Sequence, residues 1–110
     1  MMPLVNTHSH TALCGHGQGT VTELAAAADA AGIEVLAITE HFPLSAAFNP
    51  RGDEAMPREA IEGYLADIDR ARAEHPRMTV LSGCEMDWLG VDEDRTPAER
   101  DTSRFDVVIG

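Results

Sequence analysis

Short apolar runs alternate with segments of helical periodicity along this chain of 110 residues, and this alternation constrains its fold more than any other feature. Thr20 and Glu23 form a capping-box pattern, and apolar residues then recur at helical spacing until Gly32. The run that follows, residues 33–39 (IEVLAIT), is apolar and rich in β-branched side chains. Such a run is typical of a buried strand in a parallel sheet.

The same alternation continues through the rest of the chain. A second amphipathic helix ends before Pro76, and its apolar face consists of Ile61, Tyr64, Leu65, Ile68 and Ala71. Residues 3–7, 78–82 and 106–109 are predicted strands, and the charged stretch 92–104 is predicted to include a short helix. The order β-α-β-α-β-(α)-β indicates right-handed crossovers and a parallel sheet. From this order alone, a doubly wound sheet and a (β/α) barrel both remain open.

Composition excludes several classes of protein. Eight Lys and Arg against nineteen Asp and Glu give a formal net charge of −11, which opposes nonspecific binding to nucleic acid. No apolar stretch approaches the roughly 20 residues that span a bilayer, and no secretory signal is evident. We expect a cytoplasmic protein without nucleic-acid or membrane partners, with Cys14 and Cys84 as reduced thiols. Its oligomeric state stays open. An anionic substrate would need cations to offset the local acidity.

Candidate metal ligands stand at the ends of the predicted strands. His8 and His10 follow the first strand, His41 the second and Glu85 the third, while His16 lies in a glycine-rich loop. Ligands of parallel α/β folds bind at the carboxyl ends of strands, so these side chains are expected to converge. His8 and His10 alternate in an extended segment and therefore project to the same side, where they can hold one cation.

The ligand types indicate the metals. Imidazole and carboxylate suit zinc, manganese or iron, and the two oxygens of Glu85 can bridge two ions, so we expect more than one divalent metal. Asp87 is close enough in sequence to substitute for Glu85, but we interpret it as a residue that orients a ligand. We expect Glu40 to face solvent or to neutralise a neighbour, Cys14 to be a small packed residue, and Trp88 to be a packing residue near the rim.

These motifs resemble a known family. NTHSHT, the following HGQGT, AITEH and SGCEMD are similar in order and spacing to the metal-binding motifs of the polymerase and histidinol phosphatase (PHP) family, especially its histidinol-phosphatase branch. The resemblance covers roughly residues 1–87. It implies that His8, His10 and Glu85 hold a first metal, that Glu85 bridges to a second, and that His16 and His41 hold a third.

The resemblance also implies fold and function. Residues 1–110 would form the N-terminal part of a single PHP-type (β/α) barrel, which we expect to be truncated because a complete barrel takes about 200 to 250 residues. The family's later ligands are absent from this sequence, and Asn6 stands where many relatives have aspartate. The phosphate-binding arginines are expected in the missing part, so Arg51 and Arg58 are not assigned that role.

The implied activity is hydrolysis of a small phosphate monoester, most specifically L-histidinol phosphate to L-histidinol and phosphate in histidine biosynthesis. Catalytic residues beyond the metal ligands are not indicated. Two alternatives remain: a PHP-type phosphodiesterase or nuclease that acts on nucleotides, and a noncatalytic truncated metal-binding fragment. We expect the 110-residue chain by itself to be inactive or nearly so.

Overall fold

A four-stranded parallel sheet forms the centre of the molecule, and its strands lie side by side in the order in which they occur along the chain. The computed structural model describes residues 2–90 and 100–110. The strands are β1 (Val5–Asn6), β2 (Val35–His41), β3 (Thr79–Glu85) and β4 (Val107–Ile109), and the helices are α1 (Val21–Ala30) and α2 (Ile61–Glu74). A single 3-10 turn precedes each helix, at Ala12–Cys14 and at Arg58–Ala60.

This topology distinguishes the two architectures that the sequence left open. A doubly wound sheet reverses its strand order at a switch point, whereas a (β/α) barrel adds each new strand beside the previous one. Sequential neighbours pair throughout the described sheet. The fold is thus that of the first part of a (β/α) barrel, as predicted. Most of the charged stretch 92–104 lies outside the described residues; residues 100–104 contain turns and no helix.

Strands β2 and β3 pair along their whole lengths, and the last pair of this ladder joins His41 to Glu85. The second and third strands therefore run two to three residues further than predicted. The predicted start at residue 33 is also wrong, because Ile33 still belongs to the exit of α1. Its N–H donates to the Ala28 carbonyl at 3.0 Å, and Gly32 takes φ +84° at the turn. Strand pairing between β2 and β3 fixes the positions of two predicted ligands, His41 and Glu85.

The two helices pack against the sheet and against each other. The Thr20 hydroxyl accepts the Glu23 N–H at 3.1 Å, so α1 starts at the cap that the sequence predicts. The predicted apolar face of α2 is confirmed, since it faces the core. The buried cluster contains Val21, Ala25, Ala28, Leu36, Ile38, Met56, Tyr64, Ile68, Ala71, Met78 and Val80. No helix of the described segments is long and apolar enough to cross a membrane.

Tyr64 connects this core to the carboxyl ends of β2 and β3. Its hydroxyl lies 2.7 Å from the carbonyl oxygens of both Ile38 and Gly83, and 3.4 Å from the Glu40 amide nitrogen. The hydroxyl is thus held between two neighbouring strands just below the edge where the candidate ligands lie. A helix residue therefore fixes the spacing of the strands that carry His41 and Glu85.

Candidate metal centre

The segment after β1 continues alongside β2 and carries the first two histidines. The Ser9 N–H donates to the Thr39 hydroxyl at 3.2 Å, and the Thr39 N–H donates back to the Ser9 carbonyl at 2.8 Å. The Ser9 hydroxyl donates to the Ala37 carbonyl at 2.8 Å. Because Ser9 is anchored in this way, His8 and His10 on either side of it both turn toward the end of β3.

Three donor atoms converge at this edge of the sheet. Glu85 Oε1 lies 2.7 Å from His8 Nε2 and 3.1 Å from His10 Nε2, and the two imidazole nitrogens are 3.1 Å apart. Bonds of about 2.0 to 2.1 Å in a tetrahedral zinc site place neighbouring donors about 3.3 Å apart. Two of the observed spacings are about 0.2 Å shorter than that value and the third is about 0.6 Å shorter, so a small widening of the cluster would let these three ligand atoms hold a divalent cation.

His41 and His16 extend the cluster on the other side of His10. The His41 ring stacks on that of His10 with centroids 4.7 Å apart, and its Nε2 lies 3.8 Å from Glu85 Oε1. The rings of His16 and His41 are 5.1 Å apart. His16 Nδ1 donates to the Asp53 carbonyl at 3.0 Å, which leaves its Nε2 available. His41 Nδ1 is buried and has no hydrogen-bond partner within residues 2–90 and 100–110.

The surroundings of Glu85 favour its charged form. Burial opposes ionisation, but the hydrogen bond from His8 and the charges of His41, His8 and His10 together outweigh it and hold the pKa of the Glu85 carboxyl below its ordinary value. Asp87, predicted to orient a ligand, has its Oδ2 3.7 Å from His41 Nδ1, which is beyond hydrogen-bond distance. The role of Asp87 stays a prediction.

Two interpretations of neighbouring residues need correction. Of the two alternatives for Glu40, the one that faces solvent is wrong: the residue is fully buried and accepts hydrogen bonds from Thr11 and His10. The other alternative, a role beside a neighbour that it can neutralise, agrees with the 3.2 Å contact to His10 Nδ1. Trp88, predicted to be a packing residue near the rim, is 78% exposed and so packs little there. Glu40 is therefore a functional candidate whose buried place beside His10 was not predicted from the sequence. Among residues 2–90 and 100–110 it is the one such candidate. Its position between an apolar strand and a predicted ligand marks it as a candidate, but that position does not by itself predict burial.

The two cysteines are free and fully buried, in agreement with the predicted reduced thiols. Cys14 lies near His10 and Glu40, and these three side chains could in principle surround a cation. Burial raises the pKa of the Cys14 thiol, and the charge of Glu40 raises it further, although backbone hydrogen bonds act in the opposite direction. Because the thiolate is the metal ligand, this environment favours a packing role for Cys14.

The sequence of this chain is similar to those of proteins of a known family. The PHP domain family matches residues 6–110. A protein of Deinococcus radiodurans named as a probable histidinol-phosphatase is 38% identical over 114 residues, which cover all of this chain and 42% of that protein. A probable phosphatase of Photobacterium profundum is 49% identical over 109 residues, which cover 99% of this chain and 40% of the relative.

A solved structure supports the fold independently. The crystal structure of a Listeria monocytogenes protein, described only as a candidate histidinol phosphatase, superposes with a TM-score of 0.68 at 23% identity. The match covers 77% of this chain and 35% of that one. The chain spans about 40% of the length of the curated relatives it matches. Since the family match extends over nearly the whole sequence, the chain belongs to the PHP family.

Proposed function

We propose that this chain contributes to a metal-dependent phosphatase that hydrolyses L-histidinol phosphate to L-histidinol and inorganic phosphate, a step of histidine biosynthesis. One observation carries the proposal: His8 Nε2, His10 Nε2 and Glu85 Oε1 lie within 2.7 to 3.1 Å of one another at the carboxyl edge of the sheet. The names of two relatives, a probable histidinol-phosphatase and a probable phosphatase, support the reaction class.

The ligands divide into two neighbouring groups. His8, His10 and Glu85 form the first, and Glu85 has a second oxygen that is able to bridge to another cation. His16 and His41 form the second group, with ring centroids 5.1 Å apart. This arrangement supports two or three divalent ions, of zinc, manganese or iron, which are the metals that imidazole and carboxylate ligands suit. Asp87 would orient His41 after a small movement of either side chain.

The acidic chain explains why such a site needs cations. With a formal net charge of −11, the protein repels a phosphate ester unless positive charge is concentrated at the site. Divalent cations would supply that charge and activate water for attack on phosphorus. The protein's own contribution is to hold the imidazole lone pairs and an ionised Glu85 in fixed positions. Strand pairing does this for His41 and Glu85, and the anchored Ser9 does it for His8 and His10.

A chimera tests the proposed reaction. This chain replaces the matched segment of the Deinococcus radiodurans relative, and the product is loaded with manganese or zinc and assayed with L-histidinol phosphate and with bis(p-nitrophenyl) phosphate. Phosphate release from the monoester that depends on metal and on Glu85 supports the proposal. Cleavage of the diester alone would instead favour the phosphodiesterase alternative.

The controls make a negative result interpretable. The unmodified relative verifies the assay, and Glu85→Gln in the chimera removes one ligand with almost no change of shape. A folded chimera that binds metal yet hydrolyses neither substrate contradicts the proposed function. The 110-residue chain is assayed in parallel: turnover there would contradict the expectation that the chain by itself is inactive.

A further inference from the structure

Glu40 is a fully buried carboxylate near the end of β2 that is not among the predicted ligands. Both of its oxygens accept hydrogen bonds. Oε1 lies 3.1 Å from the Thr11 amide nitrogen and 3.2 Å from His10 Nδ1, and Oε2 lies 2.5 Å from the Thr11 hydroxyl. A buried charge persists in a protein only where hydrogen bonds or ion pairs satisfy it. The three contacts meet that requirement.

The contact with His10 determines which nitrogen of that ring carries hydrogen. An ionised carboxylate can only accept, so the 3.2 Å contact requires a hydrogen on Nδ1. A neutral imidazole has one such hydrogen, and Nε2 therefore keeps its lone pair. That nitrogen points into the ligand cluster, 3.1 Å from both His8 Nε2 and Glu85 Oε1. The contact of Nδ1 with Glu40 has the alignment of a hydrogen bond, whereas the contact of Nε2 with Glu85 is an ion-pair distance without that alignment. The ring thus bridges a buried carboxylate and the cation site.

We propose that Glu40 is a positioning residue, which accepts the Nδ1 hydrogen of His10 and so presents the Nε2 lone pair to the metal. Histidine ligands commonly need such a partner to fix ring orientation and tautomer. The inference rests on the proposed function for the presence of a cation. Its structural half, that Glu40 sets the tautomer of His10, holds for the metal-free chain as well.

Thr11 keeps Glu40 in place. It follows His10 directly in sequence, is 1% exposed, and gives the carboxylate both its N–H and its hydroxyl hydrogen. The same hydroxyl oxygen accepts the Leu13 N–H at 3.2 Å, at the start of the 3-10 turn. The Glu40 carboxylate is therefore oriented by the segment that carries His10. This gives the threonine of the HSHT motif and the glutamate of the TEH motif one shared role.

Two substitutions separate the acceptor from the charge. In Glu40→Gln, the amide oxygen can take the place of Oε1 and accept both N–H groups, while the amide hydrogens face the Thr11 hydroxyl oxygen. In Glu40→Leu, a side chain of similar size offers no acceptor, and His10 Nδ1 loses its partner. Glu85 Oε1, 3.1 Å from Nε2, is then the one carboxylate oxygen that remains beside the ring, which favours protonation at Nε2.

The first measurement is the tautomer of His10 in the metal-free chain, read from long-range ¹H–¹⁵N NMR correlations at about pH 8.5, well above the ordinary imidazole pKa of about 6.5. The His10 signals are identified by their loss in His10→Ala. We expect Nδ1–H in wild type and in Glu40→Gln, and Nε2–H in Glu40→Leu. Nε2–H in the wild type would overturn the inference whether or not any variant folds.

The second measurement is zinc affinity by calorimetry. Loss of the partner of a metal-binding histidine typically lowers affinity about 10- to 100-fold, and we expect this for Glu40→Leu, with Glu40→Gln closer to wild type. Glu59→Gln removes a carboxylate charge at an exposed residue outside this cluster, and should change neither the tautomer nor the zinc affinity. A folded Glu40→Leu variant with wild-type affinity and an Nδ1–H tautomer would refute the positioning role.

Glu85→Gln separates this inference from the proposed function. It should lose zinc affinity yet keep the Nδ1–H tautomer, because it removes the carboxylate charge on the Nε2 side and leaves the Glu40 acceptor on the Nδ1 side in place. A wild-type chain that binds no zinc would defeat the proposed metal site, whereas a tautomer that does not depend on residue 40 would defeat only the inference about Glu40.

Discussion

Replacing Gly83 with alanine adds a methyl group to β3 that meets both neighbouring strands, β2 and β4. A Cβ at this position would lie 2.8 Å from Thr39 Cγ2, 3.0 Å from the Ile38 carbonyl and 3.1 Å from the Val107 carbonyl. Two of these neighbours are backbone atoms of β2 and β4, and the third is a stiff β-branched side chain. None of them can move aside without shifting a strand.

These contacts predict that Gly83→Ala lowers the free energy of unfolding, and they indicate by how much. Adding a methylene-sized group to a packed interior typically costs about 1 to 3 kcal/mol. With a urea m-value of about 2 kcal/mol/M, the unfolding midpoint would fall by about 0.5 to 1.5 M. Thr39 also receives the Ser9 N–H, so displacement of Thr39 should disturb the segment between His8 and His10 and weaken metal binding as well.

Urea unfolding of the metal-free chain, followed by circular dichroism, measures this change. Gly63→Ala is the matched control, because Gly63 lies on the exposed face of α2 and an added Cβ meets nothing within 4 Å. That substitution should stabilise the protein by about 0.5 to 1 kcal/mol through helix propensity. We therefore expect the free energy of unfolding to fall in Gly83→Ala and to rise in Gly63→Ala. If Gly83→Ala is as stable as wild type, the strands are not packed as described.

Three further predictions concern other parts of the molecule. Tyr64→Phe should cost about 1 to 3 kcal/mol in urea unfolding, since it removes a buried hydroxyl shared by β2 and β3; an unchanged midpoint would contradict this. Burial raises the pKa of Cys84 to about 11 and raises that of Cys14, so both thiols should resist Ellman's reagent at pH 8 until urea is added, and rapid reaction of the native chain would be contrary evidence. The Arg104 hydrogen bond holds the pKa of Glu62 below its ordinary value, so the contribution of this pair to stability is present above that ordinary pKa and is lost as pH falls through the lowered one; Glu62→Gln should therefore lose less stability on acidification than wild type, and equal losses would argue against this pair.

The sequence predicted the parallel order and the converging ligands because both follow from local patterns. His8 and His10 share a side by strand alternation, and strands of one parallel sheet end at one edge. The positions of His41 and Glu85 were foreseen, but not their pairing as the last residues of the ladder between β2 and β3. That pairing depends on where the exit of α1 ends, which is decided by hydrogen bonds around Gly32.

The buried position of Glu40 could not be read from the sequence. A glutamate at the end of an apolar run usually reaches water, and only the fold brings the Thr11 hydroxyl and amide against it. Trp88 shows the opposite error: a large apolar side chain predicts burial, yet in the described structure it is mostly exposed. In both cases the deciding contacts, or their absence, involve residues distant in sequence.

The most direct test of the metal centre is calorimetric titration of zinc into the 110-residue chain and into Glu85→Gln, with the surface substitution Glu59→Gln as a control for the loss of one charge. We predict that wild type and Glu59→Gln bind with equal affinity. We also predict that Glu85→Gln loses at least the roughly 10- to 100-fold that follows loss of a hydrogen-bonded partner alone. Equal zinc affinity in all three proteins would contradict a cation held by His8, His10 and Glu85.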